Sequence, residues 1–211
     1  MTVENLSFPE PQANLDHDEE LLRRAEKAGA GECLRFWESP SHFVVLGRTG
    51  VAEDDVELAS VHRDNIPVLR RTSGGGTVLQ GPGCLNFALV LSLERHPDLA
   101  RIQRSYAYIL NKIIAALTGL GIEAEFRPVS DLVLRSTQRK FSGNAQRRGR
   151  KFILHHGTIL YDFNLSLVGR YLKMPRKMPD YRSGRSHMDF ISNISVDPRE
   201  LRVSIQKKFL V

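Results

Sequence analysis

In the stretch RRTSGGGTVLQ, Arg70 and Arg71 precede a Thr-Ser pair and three consecutive glycines, Gly74, Gly75 and Gly76. Glycine weakens a strand. Three in a row between two strand-like runs, PVLRR and GTVLQ, therefore serve either a sharp bend or the close approach of a ligand to the backbone. In the second case backbone N–H groups meet the ligand, and strand alternation turns one arginine toward it and the other away. The stretch lacks the GxxxxGK(S/T) spacing and no helix follows it, so it does not read as a P-loop. A second stretch, RKFSGNAQRRGRKFILHHGTIL, reads as a β-hairpin turning near Arg148-Gly149. A two-residue turn sets Lys140 opposite Gly157. A lysine on a sheet face beside the strand glycines Gly143 and Gly157 is a poor choice for packing and a reasonable one for holding an anion. His155 and His156 have no carboxylate or cysteine at ligand spacing, which makes them hydrogen-bonding residues rather than metal ligands.

The elements that position these residues follow from periodicity. A helix is expected over 14–28 and strands over 33–38 and 42–47, followed by a short helix over 53–65. PVLRR and GTVLQ flank the glycines as strands, and CLNFALVLSL is apolar throughout, which suits a central strand. Leu99, Ile102, Tyr106, Ile109, Ile113, Leu117 and Leu120 recur at helical spacing over 98–121. Strands EAEFR, DLVL, KFSGNAQ and KFILHHGTILYDF follow. A last helix opens with Asp197 as N-cap, Pro198 in the first turn and Glu200 three residues after the cap. Strands outnumber helices and several are joined by hairpin-length turns. The fold class is therefore α+β, a mostly antiparallel or mixed sheet with helices packed on it.

The chain has 211 residues, 41% hydrophobic and 26% charged, enough for one domain with a substantial core. No apolar run approaches the roughly 20 residues of a membrane span, and the acidic, polar N-terminus is no signal peptide. Cys33 and Cys84 form neither a disulfide framework nor a CxxC site, so a cytoplasmic protein is expected. The net charge of +6 is partly local, concentrated in the hairpin around Arg147–Lys151 and in KMPRKMPDYRSGR. Such clusters suit a phosphate compound, a nucleic acid or an acidic protein. Nucleic-acid binding is disfavoured, because Phe141 and Phe152 are the nearest aromatic residues to the basic hairpin stretch.

Four stretches in order, RRTSGGGTV, SDLVL, RKFSGNAQ and HHGTIL, with Gly47-Arg48 ahead of them, resemble the motifs of lipoate–protein ligases. These belong to the wider superfamily of biotin and lipoate ligases and octanoyltransferases. The resemblance covers roughly residues 14 to 195. It implies a class II aminoacyl-tRNA synthetase/biotin ligase-like fold, with residues 1–211 as a single catalytic domain. The C-terminal accessory domain that many such ligases carry is then absent, and a separate accessory subunit could replace it. It also implies the activity: lipoate is joined to ATP as lipoyl-AMP and passed to a lysine of a small acidic lipoyl carrier domain. Lys140 matches the family lysine that holds carboxylate and α-phosphate together. Arg71 matches an arginine that meets nucleotide phosphate, and Gly76, Thr77, Val78 and Leu79 match the backbone stretch lying against the nucleotide. Gly74 and Gly75 shape the lipoyl slot, with Ser73, Gly143, His156, Gly157 and Thr158 also bordering the adenylate. Asp131 matches an acidic position assigned to Mg²⁺. No nucleic acid or membrane is implied as a partner, and the basic hairpin, 147–151, becomes the expected dock for the carrier.

Departures from the family pattern are GRTGVAEDD, where a Gln-Asn pair often follows Gly-Arg, Gln80-Gly81 in place of His-Asp, and Gly83-Cys84 in place of Gly-Asn. Octanoyltransferase relatives need a cysteine nucleophile. At one transferase position this chain has Ser130, and LVGRYLKMPRK holds no cysteine at the other, which leaves Cys84 as the candidate. An octanoyl or lipoyl transferase and a non-catalytic lipoyl-domain binding module are the alternatives. Biotin ligases, whose Arg-Gly motif is denser than GRTG, rank below them.

Overall fold

The computed structural model describes residues 1–28 and 31–210. In chain order the elements are β1 (Thr2–Asn5), α1 (Pro11–Ala28), β2 (Cys33–Trp37), β3 (Phe43–Leu46), α2 (Ala52–Asp55), α3 (Leu58–Arg63), β4 (Val68–Arg70), β5 (Val78–Gln80) and β6 (Cys84–Ser92). There follow α4 (Ile102–Thr118), β7 (Ala124–Arg127), β8 (Asp131–Leu134), β9 (Lys140–Arg148), β10 (Phe152–Leu160), α5 (Ser166–Tyr171), α6 (His187–Phe190) and α7 (Pro198–Phe209). Seven strands form one sheet in the order β1-β2-β6-β10-β9-β8-β7, and three form a smaller one in the order β4-β3-β5. The pairs β1–β2 and β3–β4 are parallel and the remaining described pairs antiparallel. The α+β class with a mixed sheet holds.

Strand β6 shows why the layers form. It is buried along its whole length, so both of its faces need cover. Leu85, Phe87, Leu89 and Leu91 pack into the main core with Ile109, Ile113 and Leu117 of α4 and Leu201 and Ile205 of α7. Ala88 and Val90, on the alternate positions, meet Leu21, Leu22 and Ala25 of α1. Burying each such leucine, isoleucine or phenylalanine contributes about 1.5–3 kcal/mol. The small sheet rests on a second core, in which Val44, Leu46 and Leu79 meet Phe163, Leu172, Phe190 and Ile191. Leu15 and Trp37 join its opposite side through Phe43 and Val45. A cleft between the two sheets follows from this arrangement.

Several expectations shift. Strand β1 escapes a periodicity reading because TVEN is short and polar. It is tied down by Arg35, whose fully buried guanidinium pairs with Asp18 Oδ1 at 2.6 Å and donates to Leu6 O, Asn14 O and Asn14 Oδ1. The expected helix over 53–65 breaks into α2 and α3 at Val56, which bridges to Leu172. The helix expected from residue 98 begins at Ile102, after a 3₁₀ turn at Pro97–Ala100. Asp197 caps α7 as expected, accepting from Arg199 N at 2.6 Å.

The hairpin register is also corrected. Arg148 pairs with Ile153 and Asn144 with Gly157, so Lys140 does not lie opposite Gly157. The two-residue turn lies at Arg150-Lys151, further along the chain than expected: Gly149 N donates to Phe152 O at 2.9 Å, and Glu26 of α1 meets the turn. Glu26 Oε1 accepts from Lys151 N at 2.9 Å and Phe152 N at 2.7 Å.

On the core side of this hairpin runs a chain of polar groups. Ser105 Oγ donates to Gln146 Oε1 (2.9 Å) and Gln146 Nε2 to His155 Nδ1 (3.0 Å). His155 Nε2 donates to Asn144 Oδ1 (3.3 Å), and Asn144 Nδ2 to Ser130 O (2.8 Å). This pattern needs a neutral ring, and burial pushes the His155 pKa down to about 3. The sign follows: the unfolded chain takes up a proton below the ordinary value of 6.5 while the folded ring stays neutral. The contribution of His155 is therefore complete above that value and declines as pH falls toward 3. Denaturant unfolding at neutral pH and at mildly acidic pH should show a loss on the order of 1 kcal/mol per pH unit from this residue. His155→Gln should be less stable at neutral pH and show a correspondingly flatter acid dependence.

Candidate active site

Lys140 is aimed by a β-bulge. Asp131 pairs with Gly143 and Leu132 with Ser142, but Val133 pairs with Lys140, leaving Phe141 as an extra residue. Strict alternation would put positions 140 and 143 on opposite faces, and the bulge restores them to one face. Phe141 drops into the main core, while the Lys140 side chain lies over Gly143, where an added Cβ would come within 2.9 Å of Nζ. Nζ pairs with Asp131 Oδ1 at 2.7 Å, and Asp131 Oδ2 accepts from the Tyr181 hydroxyl at 2.6 Å. Desolvation, followed by the Asp131 charge, pushes the Tyr181 pKa up, so the hydroxyl remains a donor. Both oxygens of Asp131 face protein donors. Among the described residues no group of three or more His, Cys, Asp or Glu converges to hold a metal ion. In this arrangement the carboxylate is the partner of the Lys140 ammonium. Tyr181 is a site residue that sequence reasoning missed. It sits in a segment notable only for its basic charge, and no local pattern points to it.

The glycines form a crossing loop rather than a strand edge. β4 and β5 lie on either side of β3, so the chain between them must pass over the end of β3. The loop rests on Gly47, where any Cβ would run into the Gly75 carbonyl. Arg48 N donates to Ser73 O at 2.8 Å, and Gly75 itself adopts φ +91°. The two arginines brace the two touching turns. Arg70 donates to the carbonyls of Gly47 (2.9 Å), Arg48 (3.1 Å) and Gly50 (2.8 Å). Arg71 donates to Ser73 Oγ (3.0 Å), Gly74 O (2.8 Å) and Gly76 O (2.7 Å), and burial lowers its pKa to about 10. Ser73 Oγ lies 2.6 Å from His156 Nε2. Burial and then the Arg71 charge push His156 down to about 3, so its neutral ring accepts from the serine hydroxyl. Gly157 does not open space for a ligand. The room its missing side chain leaves is filled by the Asn144 amide and the Phe87 ring.

Two cavities meet at Lys140. The smaller, about 190 Å³, reaches inward to Leu15, Trp37, Gln80 and Asn86. The larger, about 300 Å³, has an apolar floor of Leu79, Phe163, Phe190 and Ile191 and a basic wall that includes Lys173, Lys177 and Arg182. Gly76, Thr77, Val78, Asp131, Lys140, Gly143 and Thr158 line both. Of the other expected residues, Arg71, Gly75, His156 and Gly157 line the smaller cavity and Leu79 the larger. Ser73 stands behind the wall and acts on it through His156, while Gly74 faces outward on the loop.

The basic hairpin is less available for docking than its composition suggests. Arg147 donates to Thr72 O at 3.2 Å, and Arg148 to Leu99 O at 2.6 Å and Ala100 O at 3.1 Å. Arg150 and Lys151 remain exposed at the tip. No helix among the described residues is long and apolar enough to cross a membrane.

Residues 10–209 match the family model described as the lipoyl protein ligase A/B catalytic domain. The lipoate-protein ligase LplJ of Bacillus subtilis is 28% identical over 92% of this chain and 55% of its own length. The chain spans about half the length of the curated relatives it matches. A crystal structure of lipoate-protein ligase A bound with ATP shares 25% identity, covers 99% of this chain and 83% of that one, and superposes with a TM-score of 0.81. A bi-partite lipoate protein ligase from Thermoplasma acidophilum, described with its E2 lipoyl domain, is 24% identical. It covers 99% of this chain and 81% of that one, with a TM-score of 0.84, which shows a common fold.

The thiols yield a direct test of the site. Cys33 and Cys84 are both buried, and burial pushes the Cys84 thiol up to about 12. Thiolate is the nucleophilic form, so neither cysteine is poised for covalent catalysis. Iodoacetamide should label neither residue in the native protein and both after denaturation, read by mass spectrometry. Rapid native labelling of Cys84 would contradict this placement.

Proposed function

Because the chain belongs to the lipoyl protein ligase A/B catalytic-domain family, we propose that it activates lipoate with ATP and transfers the lipoyl group to a lysine of a lipoyl carrier domain. One observation carries this reading: the Lys140 ammonium stands where a cavity reaching inward to Leu15 and Trp37 meets a basic-walled cavity. An acid lying in the first and a triphosphate in the second would bring two anions together at that point. Their repulsion is the obstacle to reaction, and a compact ammonium reaching both the carboxyl and α-phosphate oxygens offsets it.

The steps balance as follows. A lipoate carboxyl oxygen attacks the α-phosphorus, the bond to the β-phosphate oxygen breaks, and pyrophosphate leaves. The carrier amine then attacks the acyl carbon, and AMP leaves as the amide forms and the amine loses its proton. Asp131, steadied by Tyr181, keeps Lys140 directed at the junction between these steps. Arg71, in the wall of the smaller cavity and now bonded to the glycine-loop carbonyls, would exchange them for an α-phosphate oxygen that reaches the junction. Lys173, Lys177 and Arg182 would face the rest of the triphosphate.

The lipoate-protein ligase LplJ and the ATP-bound ligase A support this reading. The Thermoplasma structure, bi-partite and described with its E2 lipoyl domain, supports a lipoyl-domain partner and a separate accessory polypeptide. Two unpaired, buried thiols suit the reducing cytoplasm. Those thiols also lack the exposure that a transferase nucleophile needs.

Lys140→Ala should lower lipoate-dependent pyrophosphate release by on the order of 10²–10³, the usual cost of losing one preorganised charge at a developing centre. The variant should remain folded, with a lowered thermal melt because Asp131 loses its counter-charge. Lys140→Arg should rescue little, since a planar fork replaces a point charge poorly in a tight site. In parallel, an apo lipoyl domain should gain the mass of a lipoyl group only when ATP is present. Pyrophosphate release by Lys140→Ala within about threefold of wild type would remove Lys140 from the reaction.

A further inference from the structure

The sequence GRTGVAEDD brings a carboxylate into the basic-walled cavity. Its acidic residues Glu53, Asp54 and Asp55 stand on α2 and diverge. Glu53 is exposed, Asp54 pairs with Arg176 at 2.5 Å, and Asp55 lines the larger cavity. Asp55 is fixed on two sides. Its carbonyl accepts from Lys173 N at 3.0 Å, and the next residue, Val56, bridges to Leu172. Its Oδ2 accepts from the Thr77 hydroxyl at 2.6 Å.

The carboxylates lining the larger cavity are Asp55 and Asp131. Both oxygens of Asp131 are taken, one by Lys140 and one by Tyr181. At Asp55 only Oδ2 has a protein donor, and Oδ1 has none among the described residues. An ionised carboxylate accepts hydrogen bonds and donates none. In a cavity that also takes phosphate it repels every charged oxygen, so the group that meets it is a neutral donor. Position narrows the donor further. Thr77 lines both cavities and so stands at the junction with Lys140, where the proposed activity puts the α-phosphate. Asp55 lies one hydrogen bond from Thr77. In a nucleotide the group next to the α-phosphate, on the side away from the leaving pyrophosphate, is the sugar, and its hydroxyls are neutral donors. The base lies a ring further on, over the apolar floor of Leu79 and Phe163.

Resting on the reading that this cavity takes a nucleotide, we propose that Asp55 Oδ1 accepts from a ribose hydroxyl and makes the site select a ribonucleotide over its deoxy counterparts. Thr77 holds the carboxylate in place for that contact. A hydroxyl bonded to a carboxylate makes a charge-assisted bond, roughly twice as strong as a neutral one. Acidic side chains hold ribose hydroxyls in the same way in dinucleotide-binding folds. A site built to hydrogen-bond one group discriminates against the analogue lacking it.

The experiment compares kcat/KM for lipoate-dependent pyrophosphate release with ATP, 2′-deoxy-ATP and 3′-deoxy-ATP in the wild type, Asp55→Ala and Asp55→Asn, with a thermal melt of each protein. Calorimetry measures binding of the same nucleotides without any acid. The wild type should favour ATP over at least one deoxy analogue by about tenfold or more in both measurements. Asp55→Ala should bring that ratio to within about threefold of one, by losing activity with ATP while activity with the deoxy analogue stays near the wild-type value. Asp55→Asn keeps the volume and offers a neutral acceptor, so it keeps the test open if Asp55→Ala folds poorly. Its ratio should fall by about threefold or more. A merely structural role for Asp55, or a cation held on the phosphates through it, would lower activity with every nucleotide alike and overturn the inference. A wild type that uses ATP and both deoxy analogues equally, or a ratio unchanged in either folded variant, overturns it as well. Selective binding of ATP that depends on Asp55, without pyrophosphate release from lipoate, overturns the proposed activity and supports the inference. Absence of nucleotide binding overturns both.

Discussion

The extra residue in β9 governs where the chemistry can occur. With Phe141 inserted against β8, its ring joins the main core and the lysine before it swings onto the face shared by Gly143 and Asp131. Deleting the bulge would turn that lysine into the apolar core, where an ammonium is strongly disfavoured. The large sheet, the core beneath it and the chain of polar groups from Ser105 to Ser130 all hold this short stretch in register. The small sheet completes the site by carrying the glycine loop and β5 to the opposite wall.

The glycine loop shows how backbone geometry and charge cooperate. Crossing over β3 demands close contact of two turns, and Gly47 permits it. Close contact also gathers carbonyl oxygens, and Arg70 and Arg71 satisfy them. The guanidinium of Arg71 thereby stands inside the cavity wall, already desolvated and beside the neutral pair Ser73–His156. A group prepared in this way interacts strongly with an arriving anion, because its loss of water has occurred during folding.

Much of this was readable in the residues themselves. The apolar run Cys84–Ser92, the helical spacing from Ile102 onward and the Asp197 cap each specify an element through a local rule. Lys140, Arg71 and the glycines were also marked by type and spacing. The structure corrected relationships that depend on distant partners. The hairpin turn lies further along the chain than expected and is bonded to Glu26 of α1, and a bulge moves Lys140 relative to its neighbours. The two strands around the glycines separate across β3, a consequence of sheet order that no local window contains. Tyr181 reaches Asp131 from fifty residues away along the chain, and Arg147 and Arg148 bend inward to carbonyls of other segments. A window of neighbouring residues records propensity and periodicity, and none of these contacts alters either.

The claim on which the rest depends is that one ammonium serves acid and nucleotide together. The most direct test is a crystal structure of the protein with a non-hydrolysable lipoyl-adenylate analogue. The account predicts the acyl chain in the cavity that ends at Gln80 and Trp37, the adenylate in the basic-walled cavity, and Lys140 Nζ within hydrogen-bond distance of both the acyl oxygen and the phosphate oxygen. An analogue bound with both halves in one cavity, or with Lys140 still paired to Asp131 and touching neither oxygen, would contradict it.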